Sequence, residues 1–343
     1  MTYRKIIVGT DGSGTARVAE RTAAMLAKAE DAQLLLAYAT RDSAEAAQPT
    51  LQQSLEAATQ VWPRVEIRRA HGRAADVLVD LAQTEEADLL VVGNKGMTGR
   101  ARFLLGSVPD AVSHRSPCDL LIVNTAADKG SPGGGIPYRK ILVATDASQT
   151  SLEAVRRGFD LAQSLGATPI LFYAGHPKTA EIIFQEVARE FLPAGMLQTA
   201  TAEGDPAKII SGVAMSEGYD LAVIGNKGMI GAGLHIGSVP NQVSHRTSTD
   251  LLIVKTVSTA VAELANGEGA IVKMDGDTVA VFRDTEGVLH KLSPRCTHMG
   301  CTVGWNSDQG TWDCPCHGSR YGARGEVIRG PAANPLARIG TAE

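Results

Sequence analysis

Nine residues near the N-terminus, YRKIIVGTD at Tyr3–Asp11, return as YRKILVATD at Tyr138–Asp146. The likeness runs on: ADLLVVGNKGM at Ala87–Met97 is matched by YDLAVIGNKGM at Tyr219–Met229. GSVPDAVSHRSPCDLLIV from Gly106 is likewise matched by GSVPNQVSHRTSTDLLIV from Gly237. About the first 255 residues are therefore a tandem duplication, and whatever one copy folds into, the chain must fold twice. The stretch AADKGSPGGGIP at Ala126–Pro137 joins the copies, and its Gly and Pro density suits a flexible linker.

Within each copy, short β-branched and Leu-rich runs such as IIVGT and LLVVG alternate with longer segments of helical period such as ARVAERTAAMLAKAE. That alternation predicts βαβ units, and strands apolar on both faces predict a parallel sheet covered on both sides. The expected fold is a duplicated open α/β sandwich followed by a small all-β domain. Its parts are residues 1–125, a linker at 126–137, residues 138–256, and residues 257–343. In such sheets ligands gather beyond the C-terminal strand ends, where the strand order reverses.

Residues that follow the strands are the ones to weigh. LLVVG ends in Gly93-Asn94-Lys95-Gly96, and Gly106-Ser107 come nine residues later. Glycines there let backbone N–H groups approach an anion, and a following helix N-terminus adds its positive end. The same glycines also serve as tight turns. The pattern is neither a P-loop nor a dinucleotide fingerprint. The first strand ends at Thr10-Asp11-Gly12-Ser13, where Asp11 and its mate Asp146 are placed to cap a helix or to meet a ligand.

Together these motifs resemble the universal stress protein family, whose nucleotide-binding members carry G-x2-G-x9-G-[ST] after the fourth strand and an Asp after the first. The resemblance implies that Asp11 faces base and ribose of ATP or AMP while Gly93, Gly96, Gly106 and Ser107 hold the phosphates. In the second copy the matching residues are Asp146, Gly225, Gly228, Gly237 and Ser238. There the spacing between Gly228 and Gly237 is one residue short, which puts its nucleotide binding in doubt. The family pairs domains through the last strand, here DLLIVN and DLLIVK, so the two copies are expected to form an internal pseudo-dimer, and chains can also pair as homodimers. His114 and His245 occupy matching helical positions and read as partly buried packing residues, and Cys118, with Thr249 as its mate, reads as a small buried residue. The helix around EIIFQEVAREFL has the apolar stripe of one lying on a sheet.

Compartment decides which cysteine chemistry is plausible. MTYRKIIVGT has no signal-peptide pattern and no apolar run reaches the ~18 residues of a membrane span. The expectation is a soluble, cytoplasmic protein with no membrane partner. A formal charge of -4 and 4% aromatic residues argue against nucleic acid. In a reducing cytosol, clustered cysteines bind metal or do redox work more often than they form a disulfide framework.

Such a cluster exists. From about Val257 the texture changes to short alternating strands broken at DGD and TEG, and then PRCTHMGCTVGWNSDQGTWDCPCHGSRYG holds four of the five cysteines. The form is C-x-H-x2-C, twelve residues, then C-x-C-H. Each loop can supply a Cys and a His to one metal site. Zinc takes such a set, though zinc fingers space their four ligands differently and leave two cysteines here unused. A mixed Cys/His 2Fe-2S centre is the alternative.

CTHMGC and CPCHGS strongly resemble the two boxes of the Rieske iron-sulfur domain, over about the last 85 residues. The resemblance implies a 2Fe-2S cluster with Cys296 and Cys314 on one iron and His298 and His317 on the other. It implies a disulfide between Cys301 and Cys316, shielded from thiol exchange beside the cluster. It also implies that Ser319 and Tyr321 donate hydrogen bonds to cluster sulfurs, as in high-potential members; Tyr321 reads otherwise as packing. Gly330-Pro331 matches the loop that covers the cluster. Met299 stands where Leu is usual and Gly322 where Asp often follows the aromatic.

No membrane anchor, mononuclear iron set, flavin or nicotinamide fingerprint accompanies these boxes in the sequence, so the electron donor and acceptor must be other, unknown proteins. The leading expectation is a stress-response protein coupling adenine nucleotide to one-electron transfer or redox sensing. The alternatives are a redox module on a merely dimerising scaffold, and weak ATP hydrolysis by the first copy.

Overall fold

The computed structural model describes residues 2–40, 48–94, 105–125, 137–191, 197–226, 237–255, 264–274, 277–307 and 309–339. The chain divides into two compact units, the described residues of the duplication through Lys255 forming the first and those after it the second.

The first repeat runs β1 (Lys5–Thr10), α1 (Gly14–Glu30), β2 (Gln33–Thr40), α2 (Gln48–Val61), β3 (Val65–His71), α3 (Ala74–Thr84), β4 (Leu89–Gly93), α4 (Ser107–Arg115) and β5 (Asp119–Val123). The second repeats that order as β6 (Lys140–Ala144), α5 (Gln149–Leu165), β7 (Thr168–Ala174), α6 (Pro177–Phe191), β8 (Gln198–Ala202), α7 (Pro206–Ser216), β9 (Leu221–Gly225), α8 (Ser238–Arg246) and β10 (Asp250–Val254). Local chemistry sets the helix ends. Ser13 caps α1 by accepting from the Ala16 amide, Ser148 caps α5 by accepting from the Ser151 amide, and α5 stops at Gly166 in the left-handed region.

All ten strands share one sheet, ordered β3-β2-β1-β4-β5-β10-β9-β6-β7-β8. Every neighbouring pair is parallel except β5 and β10, which run antiparallel with Leu121 opposite Leu252. Both strands are buried along their whole length, so their pairing covers two edges that would otherwise expose apolar side chains and unpaired backbone. The seam is locked reciprocally. Asp119 at the start of β5 accepts from the Lys255 amide at 2.8 Å and from the Tyr3 hydroxyl at 3.0 Å. Asp250 at the start of β10 accepts from the Asn124 amide and the Tyr138 hydroxyl, both at 2.8 Å. The mates His114 and His245 lie beside this seam. His245 approaches Asp110 of the other repeat at 3.3 Å, and burial lowers the His114 pKa. Cys118, expected to be buried, is half-buried as a residue, but its sulfur, 3.8 Å from the Ser116 hydroxyl, is withdrawn from solvent, and that burial pushes its pKa up to about 12. That turn lies just before β5, where chain is still partly open to solvent.

The second unit holds β11 (Gly269–Met274), β12 (Asp277–Arg283) and β13 (Leu289–Leu292) in one antiparallel sheet. A second is made of β14 (Gly304–Asn306), β15 (Thr311–Asp313), β16 (Arg320–Gly322) and β17 (Val327–Arg329). Trp305 and Trp312 pack edge to face at 5.0 Å between them, with Phe282 at 5.1 Å from Trp305. Gly269 is needed here, because a Cβ on it would lie 2.5 Å from the Trp305 ring. Among the described residues no helix is long and apolar enough to cross a membrane.

Candidate metal centre and nucleotide edge

Two loops project the cysteines and histidines, and their backbones follow one pattern. In the first, the Cys296 amide donates to the Cys301 carbonyl at 2.7 Å and the Gly300 amide to the Cys296 carbonyl at 2.8 Å. In the second, the Cys314 amide donates to the Ser319 carbonyl at 2.7 Å and the Gly318 amide to the Cys314 carbonyl at 3.2 Å. Each loop closes through a glycine four residues after its first cysteine, with φ of +71° at Gly300 and +73° at Gly318. Only glycine takes that conformation without strain. In the sequence these glycines are marked only by their shared offset from Cys296 and Cys314.

Closed in this way, the loops bring the sulfurs together and leave the imidazoles outside. Cys296, Cys301 and Cys314 are buried and Cys316 half-buried, and they belong to the same apolar core as Trp312 and Tyr321. The sulfurs of Cys301, Cys314 and Cys316 lie within 4.8 Å of one another, and the Cys296 thiol is hydrogen-bonded to Cys314. The hydrogen bond from the Cys316 thiol pulls the Cys314 pKa down, and the same contact pushes that of Cys316 up. Cys301 and Cys316 are in hydrogen-bond contact as thiols. His298 and His317 are exposed, with ring centroids 4.9 Å apart and planes at 87°. The third histidine of this unit, His290, is instead held 2.8 Å from Asp284, which also meets Arg324 at 3.1 Å.

Hydrogen bonds around the sulfurs are aimed. The Tyr321 hydroxyl accepts from the Thr297 amide at 3.0 Å and lies 3.1 Å from the Cys296 sulfur and 3.2 Å from the Thr297 hydroxyl. The Tyr321 ring is fully buried, as a packing residue is, and its hydroxyl lies within hydrogen-bond distance of the Cys296 sulfur. Ser319 is buried, and its hydroxyl accepts from the Ala332 amide at 3.1 Å. That bond ties the Gly330-Pro331 loop to the second cysteine loop. Thr297 ties the same loop to the first by donating to the Asn334 carbonyl at 2.6 Å. Met299 is 60% exposed at the tip. A Cβ on Gly322 would meet the carboxylate end of the Glu326 side chain, which would have to swing aside.

The donor set fits a mixed-ligand iron-sulfur cluster. Thiols sit in an apolar floor where anionic sulfur needs compensation, a hydroxyl donor points at one of them, and two imidazoles stand side by side above. A single zinc would leave thiols of this group without a role.

In the duplicated unit the sheet reverses order between β1 and β4, whose register aligns Val8 with Val91. Their C-terminal ends therefore bring Asp11 beside Asn94. Asp11 is exposed and accepts from the Ser13 amide at 3.0 Å. Gly93 ends β4, and the Gly106 amide donates to the Asn94 carbonyl at 2.9 Å, which returns the chain to the same edge. Gly106 caps α4 with ordinary φ, and it is close approach that calls for glycine, since a Cβ would lie 3.3 Å from the Asn94 oxygen. Ser107 opens α4 and is exposed. The second repeat places Asp146, Gly225, Gly237 and Ser238 at the equivalent edge. Gly96, Lys95 and Gly228 lie outside the described residues.

The comparisons with known proteins divide the chain in the same way. The model of the universal stress protein family matches residues 2–124, 137–190 and 181–255, and that of the Rieske [2Fe-2S] domain matches residues 255–340. A universal stress protein of Mycobacterium tuberculosis is 41% identical over 144 residues, covering 36% of this chain and 97% of that protein. The Rieske 2Fe-2S iron-sulfur protein YhfW of Bacillus subtilis is 49% identical over 77 residues, 22% of this chain. The chain spans only 15% of the length of that relative. The solved structure of a universal stress protein from Archaeoglobus fulgidus, 16% identical, covers 73% of this chain and 98% of its own with a TM-score of 0.56.

Proposed function

Because the chain belongs to the universal stress protein family and ends in a Rieske iron-sulfur domain, we propose that it joins an adenine-nucleotide sensor to a one-electron redox module in a single cytoplasmic stress-response protein. The observation that carries the redox half is the Tyr321 hydroxyl aimed at Cys296 within a floor of thiols capped by two exposed imidazoles.

In this reading Cys296 and Cys314 hold one iron and His298 and His317 the other. When bound, the cluster supplies reversible one-electron transfer at a potential of about −150 to +300 mV. The residues of the chain do the rest. Tyr321 and Ser319 offer hydroxyl protons to sulfur, which favours the more negative reduced state. The buried Trp312 and Tyr321 rings keep water from the thiolate side. His298 and His317 present their edges to the surface, where donor and acceptor proteins can approach. A bridge between Cys301 and Cys316 staples the two loops. Two free thiols at these positions in native, cluster-loaded protein, counted by mass spectrometry after alkylation, remove the bridge from the account.

At the β1/β4 edge, Asp11 meets the sugar and base of ATP or AMP, and the amides around Gly93, Gly96, Gly106 and Ser107 meet the phosphates. Coupling follows from linkage: if nucleotide shifts the potential, the redox state shifts nucleotide affinity by the same free energy. The test is the midpoint potential of the loaded protein with and without saturating ATP. A shift supports coupling. An unchanged potential together with an unchanged ATP affinity in both redox states leaves a redox module on a dimerising scaffold, the reading that the continuous ten-stranded sheet favours next.

A further inference from the structure

The cysteine loops gather a second set of ligands that overlaps the first. The sulfurs of Cys301, Cys314 and Cys316 lie within 4.8 Å of one another, and among the described residues no histidine joins them at that spacing. Cys316 is the hub, since its thiol is in hydrogen-bond contact with both Cys314 and Cys301. Cys301 and Cys314 are buried in the apolar core beside Trp312, whereas Cys316 is half-buried and is the one that an ion arriving from solvent meets first.

These are not the four residues assigned to the iron-sulfur cluster. The trio shares Cys314 with them, omits Cys296 and both imidazoles, and includes the two cysteines that take no part in holding iron. Three thiolates suit a soft or borderline divalent ion such as cadmium or zinc. A Zn–S distance of about 2.3 Å in a tetrahedron sets sulfurs about 3.8 Å apart. Sulfurs already within 4.8 Å therefore need to close by about 1 Å at most, and the open side at Cys316 leaves the fourth position to water.

We infer that the thiol form of this protein binds one thiophilic divalent ion through Cys301, Cys314 and Cys316, and that the Cys301–Cys316 bridge decides between that ion and the iron-sulfur cluster. With both thiols reduced, the ion takes Cys314 and excludes the cluster. Exchange with oxidised glutathione forms the S–S bond of the bridge: two electrons and two protons leave the cysteines, and two glutathione thiols are released. Two of the three ligands are then gone, and Cys314 is free for iron. Capture of the ion is independent of the redox reading above, whereas exclusion of the cluster rests on it.

The full-length chain, freed of iron and reduced with a phosphine, is titrated with Cd2+ by calorimetry, and the ligand shell is counted by X-ray absorption. One Cd2+ per chain, held by three sulfurs and no imidazole with a Kd of about 0.1 μM or tighter, is the expected result. Cys316→Ser should raise that Kd by about a hundredfold or more, and prior bridging with oxidised glutathione should abolish binding. An imidazole in the shell, no tight binding to the reduced chain, an unchanged Kd in Cys316→Ser, or binding that survives the bridge each overturns the inference and leaves the iron-sulfur reading intact. In the cluster-loaded chain, Cd2+ should bleach the visible absorbance about tenfold faster once the phosphine has opened the bridge. Equal rates overturn the choice between ion and cluster, and a chain that never takes up a cluster counts against the redox reading instead.

Discussion

The hydroxyl of Tyr321 takes a hydrogen bond from the Thr297 amide and lies 3.1 Å from the sulfur of Cys296 and 3.2 Å from the Thr297 hydroxyl, so its proton is shared between those two acceptors. A donor fixed in a buried floor stabilises added negative charge on sulfur more than it stabilises the oxidised state. Replacing Tyr321 by Phe keeps the ring and removes the donor. With a net hydrogen bond of about 1 kcal/mol at stake, the midpoint potential should fall by about 40–60 mV. Film voltammetry of the two proteins measures it, and an unshifted potential assigns Tyr321 to packing alone.

Gly330 holds the covering loop against the second cysteine loop. Its φ is +107°, and a Cβ would stand 2.5 Å from the Ser319 Cα. Gly330→Ala should therefore destabilise the unit by about 1–3 kcal/mol and break the bond from Ala332 to Ser319. Faster loss of visible absorbance under chelator challenge, with the first unit's unfolding unchanged, is the expected outcome.

Glu20 is buried, and its Oε2 has no hydrogen-bond partner among the described residues. Burial raises its pKa, opposed by the hydrogen bonds from Thr10 and Ser54. A carboxyl with a raised folded pKa binds its proton more tightly in the folded state. Stability is then greatest below the unfolded value, near 4.5, and falls as pH rises through the folded one. Glu20→Gln should be more stable than the parent at pH 8 by about 1 kcal/mol, with the difference vanishing below about pH 4. Urea unfolding across that range checks the sign, and parallel pH profiles would contradict it.

Asp119 and Asp250 anchor the seam between the repeats, but Asp119 has a further partner, Arg157 at 3.3 Å. Asp119→Ala leaves the Tyr3 hydroxyl, the Lys255 amide and that guanidinium without their carboxylate. It should cost about 3 kcal/mol. Urea unfolding measures the loss, and a loss below about 1 kcal/mol would count against an anchoring role for Asp119.

Much of this architecture was legible in the sequence, because duplication fixes two like units and apolar strands of five or six residues fix a parallel sheet. The cysteine and histidine spacing likewise marked the metal centre before any coordinates. Other features were hidden for physical reasons. The common hydrogen-bonding of the Cys296 and Cys314 loops is a backbone property, and the residues they share lie at different offsets: His298 follows its cysteine by two positions, His317 by three. Glu20 reads as a charged residue on an amphipathic helix, and nothing in the period reveals that it lies inward, where its mate is Val155.

The central claim is that Cys296, Cys314, His298 and His317 together hold a 2Fe-2S cluster. The most direct measurement is the EPR spectrum of dithionite-reduced protein, alongside its iron content. Two irons per chain and a rhombic signal whose average g falls below that of an all-cysteine cluster are predicted, with the signal lost in His298→Ala. An all-cysteine signal, or a colourless protein containing zinc and no iron, would contradict the account.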